Sequence, residues 1–381
     1  MTPRPSAEKH EQARARQYPK GRPFALAANK GPPGMAKTYK HLFPEIITFE
    51  SLYQAWLRVV RGRRMQGDVL AFESNLESHL IEIQNSLVWK SYRTGPYRTF
   101  RIFEPKERIV AALPLKDRIV QHALVAAIEP IWENRFIRDT YACRPGKGAH
   151  AGADRAQAFM REVKREYGCI YVLKADITKY FPSIAHKVLK AQLRRRIACA
   201  DTLWLIDEIV DSTADPHDPF PRGVPIGNLT SQLFANVYLH DLDQFAKHEL
   251  REGRYLRYMD DFCVIHHAKA HLHAVRKIIE AFLWDTLALR TNGKTQVYPV
   301  SIGGGRPLDF LGYRIWPTHR KLRKDSVRRM KRKLRSIQRR KAEGLPVRDN
   351  IEAVIASWEG HARHADTFNL RGKLLAFKGE I

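Results

Sequence analysis

Apolar and polar positions along this chain follow two periods, one typical of helices and one typical of strands. Apolar residues recur at i, i+3 and i+4 within residues 46–61, 69–88, 116–131, 186–199, 224–245 and 270–287, which predicts helices. Strand-like runs occupy 171–177, 254–259 and 262–267, and the alternating segment 97–112 predicts a basic hairpin. Helices and strands in this order predict an α+β fold with an antiparallel sheet.

Two adjacent carboxylates, Asp260 and Asp261, fall between the last two predicted strands. A turn there brings both acids to one tip, where they repel each other unless a cation lies between them. Divalent-metal binding for phosphoryl chemistry is the commonest reason for this arrangement, because Mg²⁺ takes one or two carboxylates together with substrate phosphates. A solvated hairpin tip is the plainer alternative. Asp176, at the end of the strand 171–177, is the natural third acid.

Phe181 follows Asp176 by five residues, and its position has two interpretations. Its ring can lie beneath an incoming sugar, where it would clash with a 2′-hydroxyl and favour deoxynucleotides, since that hydroxyl distinguishes RNA from DNA building blocks. The other interpretation is an ordinary core aromatic.

The charge balance indicates a polyanionic partner. A formal charge of +26 over 381 residues and a pI near 10.1 imply strong self-repulsion. The affinity of the chain for a polyanion should therefore fall steeply as the salt concentration rises. Nucleic acid is favoured over membrane, because no run approaches about 18 apolar residues and no signal peptide is visible.

The cysteines fit no zinc or redox spacing and are expected to be buried thiols in a reducing cytoplasm: Cys143, Cys169, Cys199 and Cys263.

The two ends of the chain are the most basic parts. Residues 1–37 have no apolar period and are expected to form a disordered basic arm, with Met35 as an alternative translation start. Residues 320–341 hold thirteen Lys or Arg. Their apolar positions are spaced for one helical face and leave the other face cationic: Leu322, Val327, Met330, Leu334 and Ile337. A nucleic-acid backbone is the expected partner of that face.

Three motifs in order make the chain resemble a reverse transcriptase. They are Asp-x-x-x-x-Phe from Asp176 to Phe181, Gly-x-x-x-Ser from Gly227 to Ser231, and Tyr-x-Asp-Asp from Tyr258 to Asp261. The resemblance runs from about residue 38 to the C-terminus. It implies a right-hand polymerase with fingers at 38–165, a palm at 166–315 with an insertion near 186–222, and a helical thumb at 316–381.

The resemblance also implies residue roles. Asp176 and Asp260 would hold two Mg²⁺ ions (Mn²⁺ being an alternative), with Ile177 also at the metal site and Asp261 either supporting these ligands or binding one of the ions. Lys294 would protonate the leaving pyrophosphate. The implied substrate contacts are Lys106, Arg108, Phe181, Ile226, Gly227, Gln232 and Tyr258. The implied primer-grip hairpin comprises Phe310, Leu311, Gly312 and Tyr313. Backbone contacts of the thumb would come from Arg320, Lys321, Arg323, Lys324, Arg328 and Lys331.

One departure from the commonest reverse transcriptase pattern selects a subgroup. Ile226-Gly227-x-x-x-Ser231-Gln232 stands where most members carry Gln-Gly-x-x-x-Ser-Pro, and it is similar to the enzymes of diversity-generating retroelements. Those bacterial and phage enzymes copy a template-repeat RNA with errors opposite adenine, together with a homo-oligomeric basic accessory protein. An apolar Ile226 beside the nascent base pair removes a hydrogen-bonding side chain, which fits low fidelity.

Other readings stay open at this point. A retron, abortive-infection or intron-type reverse transcriptase is the nearest, a non-catalytic RNA-binding scaffold with this fold is another, and a metal nuclease is a third. About sixty residues follow Lys321, too few for an ordinary RNase H or endonuclease domain, so template removal and target cleavage are expected from other proteins.

Overall fold

The N-terminal part of the chain is mainly helical. The computed structural model describes residues 37–103, 107–215, 217–303, 305–347 and 350–376, so the predicted arm (apart from Lys37) and Lys106 lie outside the described residues. The first elements are α1 (Phe43–Ile46), α2 (Phe49–Val59), α3 (Gly67–Glu73), α4 (Leu76–Val88), the hairpin strands β1 (Arg98–Ile102) and β2 (Arg108–Ala112), α5 (Leu115–Glu133) and α6 (Ala149–Tyr167).

The helix predicted over residues 46–61 is present as α2, but it begins only at Phe49, after the capping residue Thr48. The Thr48 backbone is extended and its hydroxyl accepts a hydrogen bond from the Ser51 amide at 3.1 Å, which caps α2. The predicted hairpin is confirmed: β1 and β2 pair antiparallel, with Arg98 opposite Ala112.

The middle of the chain supplies the main sheet and the helices that cover it. In order these are β3 (Tyr171–Asp176), α7 (Tyr180–Ser183), α8 (His186–Arg194), α9 (Ala200–Asp211), α10 (Leu229–Tyr238), α11 (His240–Gln244) with a π-helical turn (Phe245–Glu249), β4 (Tyr255–Tyr258), β5 (Asp261–His266), α12 (Lys269–Leu287) and β6 (Gln296–Pro299). The strands lie in the order β4-β5-β3-β6, and every neighbouring pair is antiparallel. The α+β fold with an antiparallel sheet is thus confirmed.

The two faces of this sheet pack against different cores because side chains alternate along a strand. On β3, Leu173 and Ala175 join the larger core formed with the N-terminal helices, α8–α10 and α12. Val172 faces the other way and packs in a second core with residues of α6 and of the C-terminal strands. Lys174 and Asp176 follow Val172 by two and four positions, so they share its face.

The C-terminal part adds a small sheet and three helices. Its elements are β7 (Leu308–Phe310), β8 (Tyr313–Ile315), β9 (Arg320–Leu322), α13 (Lys324–Ala342), α14 (Ile351–Ala362) and α15 (Phe368–Ala376). Leu322, expected on the apolar face of the cationic helix, lies instead in β9, where it pairs with Tyr313 and is buried. Met330, Leu334 and Ile337 form the buried face of α13, as predicted.

Burial divides the four cysteines into two pairs. Cys199 and Cys263 are buried free thiols, whereas Cys143 and Cys169 are exposed, so the expectation was wrong for these two. Cys143 lies in a turn and has a positive φ of 51°. Across the described ranges no helix combines the length and apolarity needed to cross a membrane.

Candidate active site

The three predicted acids meet at one end of the main sheet. Asp176 ends β3, Asp261 begins β5, and the two are directly paired across these antiparallel strands. Asp261 also pairs with Tyr258 of β4, so Met259 and Asp260 form a two-residue turn. The Asp260 carbonyl accepts a hydrogen bond from the Ile177 amide at 3.3 Å, which ties this turn to the end of β3. The three acids, which are far apart or on separate elements in the sequence, thus lie close together in the structure.

The electrostatics of this cluster disfavour three free negative charges. Burial and the nearby Asp176 carboxylate raise the pKa of Asp260 to about 6. Burial also raises the pKa of Asp261 to about 6, although the Lys174 ammonium acts in the opposite direction. Like charges in a partly desolvated site shift pKa values in this way, and a cation placed between them relieves the cost.

These residues fit a cation that needs few protein ligands. In the part of the chain that the structure describes, no group of three or more His, Cys, Asp or Glu side chains is arranged to hold a metal ion. Mg²⁺ does not require such a group, because it keeps several waters and binds one or two carboxylates with substrate phosphates. Asp176 and Asp260, which repel each other, supply oxygen donors of that kind.

Lys174 is a site residue that motif analysis missed. Its ammonium donates a hydrogen bond to the Asp261 carboxylate. The same ammonium stands over the Phe310 ring, 5.4 Å from its centroid, within the range of a cation–π contact. The signal was present in the strand period, since residue 174 must share a face with Asp176. Lys174 therefore links the acids to the predicted primer grip.

Lys294 lies in a loop that the backbone attaches to β3. The Asn292 amide donates to the Asp176 carbonyl at 2.8 Å, and the Thr178 amide donates to the Arg290 carbonyl at 2.9 Å. Lys294 follows two residues later, with an exposed side chain and its amide bonded to the Asn292 side chain at 2.9 Å. Lys294, the predicted proton donor, thus lies on a loop that is hydrogen-bonded to the main chain of Asp176. The side chains of Lys294 and Asp176 are not in contact.

The Ile226–Gly227 turn packs against the basic hairpin. The Ala111 amide of β2 donates to the Ile226 carbonyl at 3.0 Å. Gly227 has a φ of +115°, and a Cβ there would lie 2.9 Å from Cγ1 of Val110. A cavity of about 1050 Å³ opens beside this contact, and its lining includes Gly227, Gln232, Arg98 and Arg118. Gln232 therefore lines the space between the hairpin and α10. Ile226 contacts the hairpin through its main-chain carbonyl.

The other predicted substrate contacts surround this region without converging on one point. Arg108 begins β2 and is exposed, while Lys106 is outside the described residues. Phe181 is half-buried against the larger core, and its carbonyl accepts from the Val224 amide at 3.1 Å, just before the Ile226–Gly227 turn. Tyr258 is half-buried, and burial raises its pKa. Phe181 thus packs against the larger core and also contacts the segment that leads into the Ile226–Gly227 turn.

The predicted primer-grip hairpin is formed by β7 and β8 and has a strained turn. Leu311 and Gly312 both adopt positive φ, +53° and +88°. A Cβ on Gly312 would approach the His361 ring to 3.1 Å. The Tyr313 hydroxyl lies 2.8 Å from Nδ1 of His150 and 3.1 Å from Nδ1 of His361. His361 thus packs against the turn.

The cations predicted to contact nucleic acid from a thumb fall into two groups. Lys321, Lys324, Arg328 and Lys331 are exposed. Arg320 is held by protein groups, because it pairs with Asp154 at 2.7 Å and its side chain is 12% exposed. Arg323 pairs with Asp309. Arg320 is thus directed toward α6, and its contact with a nucleic-acid backbone stays a prediction.

Comparisons with known proteins bear on this site. Residues 104–315, more than half of the chain, match the profile of the reverse transcriptase (RNA-dependent DNA polymerase) family. Protein YkfC of Escherichia coli is 27% identical over 283 residues, covering 64% of this chain and 72% of YkfC. The group II intron-encoded protein LtrA of Lactococcus lactis is 26% identical over 177 residues, covering 45% of this chain and 28% of LtrA.

Solved structures with a similar fold include two telomerases. Telomerase from Candida albicans, in complex with a fragment of telomeric RNA, has a TM-score of 0.43 at 11% identity over 67% of this chain and 55% of its own. Apo telomerase from Candida tropicalis has a TM-score of 0.44 at 12% identity over 65% and 54%. No functional detail follows from likenesses this weak, and the chain spans less than a third of LtrA. The family match itself is sufficient: this chain belongs to the reverse transcriptase family of RNA-dependent DNA polymerases.

Proposed function

We propose that Asp176, Asp260 and Asp261 form a two-metal nucleotidyl-transfer site that extends a DNA primer on an RNA template. The observation that carries this proposal is the direct pairing of Asp176 with Asp261 at the sheet end, with Asp260 on the adjoining turn. Mg²⁺ held there would lower the pKa of the primer 3′-hydroxyl and stabilise charge on the pyrophosphate. Without a cation, the same acids destabilise one another.

The surrounding residues take supporting roles in this proposal. Arg108, exposed at the start of β2, neutralises the triphosphate, and Lys294 delivers a proton to the leaving pyrophosphate. Phe181 excludes a 2′-hydroxyl from the sugar position. The β7–β8 turn orients the primer strand, with Lys174 joining its Phe310 to the acids.

We infer two candidate biological settings from different observations. The first is mutagenic copying of a template-repeat RNA in a diversity-generating retroelement, with adenine-directed errors and a basic accessory protein in the cytoplasm. It is supported by Ile226, whose carbonyl contacts β2, and by Gln232 of α10, which lines the cavity beside that contact. An apolar side chain at 226 offers no hydrogen bond to a nascent base pair.

The second setting is an intron-type reverse transcriptase, and the comparisons favour it over the first. LtrA is named as a group II intron-encoded protein, and a nuclear intron maturase of Arabidopsis thaliana is 30% identical over 117 residues, 26% of this chain. The matches cover 28% and 15% of those proteins, so splicing or mobility functions are not carried over with them.

Primer extension on an adenine-containing RNA, followed by cDNA sequencing, separates these settings. Acid-dependent cDNA that disappears in the Asp260→Asn/Asp261→Asn variant supports the polymerase proposal, and cDNA that persists in this variant contradicts it. Errors concentrated opposite adenine favour the mutagenic setting, and a shift of the error spectrum in Ile226→Gln assigns the effect to that side chain. Faithful cDNA favours the intron-type setting. Absence of cDNA even with added accessory protein favours a non-catalytic scaffold.

A further inference from the structure

A fully buried arginine lies directly beneath the turn that carries Asp260. Arg257 of β4 and Asp243 of α11 both have side chains with no exposed surface. The Arg257 guanidinium donates from Nε to Oδ1 of Asp243 at 2.7 Å and from Nη2 to Oδ2 at 2.6 Å. This two-bond geometry holds the planar guanidinium in one orientation.

The third nitrogen of this guanidinium is directed at the active-site turn. Nη1 donates to the Met259 carbonyl at 2.9 Å and lies 3.2 Å from Oδ1 of Asn236. Asn236 is itself anchored, because its Nδ2 donates to the Ala142 carbonyl at 2.8 Å. A pair that served only to neutralise Asp243 would not require this third donor to reach the turn.

Met259 is the residue in the turn that most needs support. Its φ of +56° places a side-chain-bearing residue in the left-handed region, which is disfavoured for any residue with a Cβ. The Met259 carbonyl belongs to the same planar peptide unit as the Asp260 amide. A hydrogen bond that fixes this carbonyl therefore fixes the peptide plane from which Asp260 projects.

We propose that Arg257 is a positioning residue that holds Asp260 in its reactive orientation through the Met259 carbonyl, with Asp243 as its buried anchor. This proposal rests on the proposed function, since it assigns Arg257 a role in the same site. The competing explanation is a purely structural ion pair. Buried pairs of that kind are often replaceable by apolar residues of similar volume without loss of stability, which allows the two explanations to be separated.

The decisive variant is Arg257→Met/Asp243→Leu, which removes both buried charges at once and so leaves neither charge unpaired. Melting temperature reports whether the variant folds, and steady-state primer extension gives kcat and the KM for nucleotide. We expect a folded protein whose kcat falls about 100-fold, because small misplacements of a catalytic group have effects of this size. A folded double variant with kcat within about twofold of the unaltered protein would overturn the proposal.

Tyr255→Phe is the matched control. The Tyr255 hydroxyl donates to Oδ1 of Asp243 at 2.8 Å, so its removal disturbs the same buried network but leaves the bond to Met259 in place. We expect this variant to lose stability and to keep its kcat. A drop in kcat that followed stability equally in both variants would support the purely structural explanation.

Hydrogen exchange supplies a measurement that depends on neither metal nor activity. In Arg257→Lys a single nitrogen replaces three, so the cation stays with Asp243 and the Met259 carbonyl loses its donor. Backbone exchange at residues 258–262 should accelerate in this variant and not in Tyr255→Phe, as measured by mass spectrometry. Unchanged exchange there overturns the proposal, even if the unaltered protein makes no cDNA and the proposed function itself fails. Arg257→Lys also serves as the test if the double variant does not fold.

Discussion

The Lys174 ammonium donates a hydrogen bond to the Asp261 carboxylate and stands over the Phe310 ring. One side chain thereby contacts both the acidic cluster and the hairpin predicted to grip the primer. Burial raises the pKa of Asp261, and the Lys174 ammonium acts in the opposite direction and lowers it.

Replacement of Lys174 by methionine should therefore impair activity in a pH-dependent way. Loss of the cation removes the influence that lowers the Asp261 pKa, so the pH at which activity is half-maximal should move upward. At pH 7 we expect a loss of about 10- to 100-fold, because a displaced catalytic group has effects of this order. Primer extension from pH 5.5 to 8.5 measures the loss of activity at pH 7 and the shift of the half-maximal pH. Lys174→Arg should recover most of the activity. Lys187→Met, an exposed lysine of α8, is the control.

The raised pKa of Asp260 predicts how stability of the metal-free protein varies with pH. Its pKa is about 6 in the folded state, against about 3.9 for an unperturbed aspartate. Between these values the folded state binds more protons than the unfolded state, so the free energy of unfolding falls as pH rises from about 4 to about 6. The loss of stability caused by the ionised Asp260 then persists at neutral pH.

Asp260→Asn should remove that cost. We expect it to raise the free energy of unfolding by roughly 1–3 kcal/mol at pH 7 and to change it little at pH 4. Denaturant unfolding with a chelator present at both pH values measures this difference. Asp285→Asn, at an exposed carboxylate of α12, should show no such pH-dependent gain. Equal stability of the Asp260 variant and the unaltered protein at pH 7 would contradict the prediction.

Gly227 should tolerate no side chain, because its Cβ would lie 2.9 Å from Val110 and its φ is +115°. In Gly227→Ala either the turn or the β1–β2 hairpin must move, at a cost of about 1–3 kcal/mol. We expect a higher KM for nucleotide, since the hairpin carries Arg108. Gly293→Ala is the matched control, because a Cβ there meets nothing within 4 Å. An unchanged KM in Gly227→Ala would show that hairpin position does not affect nucleotide binding.

Tyr313→Phe should loosen the primer-grip turn. The variant loses the hydroxyl that lies between His150 and His361, at a cost of about 1 kcal/mol for a buried hydrogen bond. Because the turn of the predicted primer-grip hairpin is then held less firmly, the affinity for primer–template, measured by fluorescence anisotropy, should fall. Tyr238→Phe also removes a buried hydroxyl, which donates to the Leu287 carbonyl at 2.6 Å away from the grip. That control should lose stability and keep its affinity.

The exposed cations of α13 should contribute to the salt dependence of nucleic-acid binding. Each lysine or arginine that contacts a phosphate adds about one to the slope of log K against log salt. Arg328→Gln/Lys331→Gln should therefore lower that slope by about two. Lys269→Gln/Lys277→Gln on α12 should leave it unchanged. An unchanged slope in the α13 variant would show that this face does not contact the backbone.

The sequence by itself determined the order of the elements and the identity of the three acids. Strand periodicity and a two-residue turn are local properties, so Asp260 and Asp261 had to share one tip, and Asp176 had to end its strand. The helix boundary at Thr48 and the strand at Leu322 were not foreseen, because a capping hydroxyl and a pairing with Tyr313 decide them.

Only the tertiary structure decided which side chains surround the acids. Lys174 meets Asp261 because β3 and β5 pair in one register, with Lys174 opposite Cys263 and Asp176 opposite Asp261. Arg257 reaches the Met259 carbonyl because α11 places Asp243 beneath the turn. Such contacts join residues distant in sequence, and their energies depend on burial and register. Local propensity carries no information about either, so these partners of the acids became visible only in the folded chain.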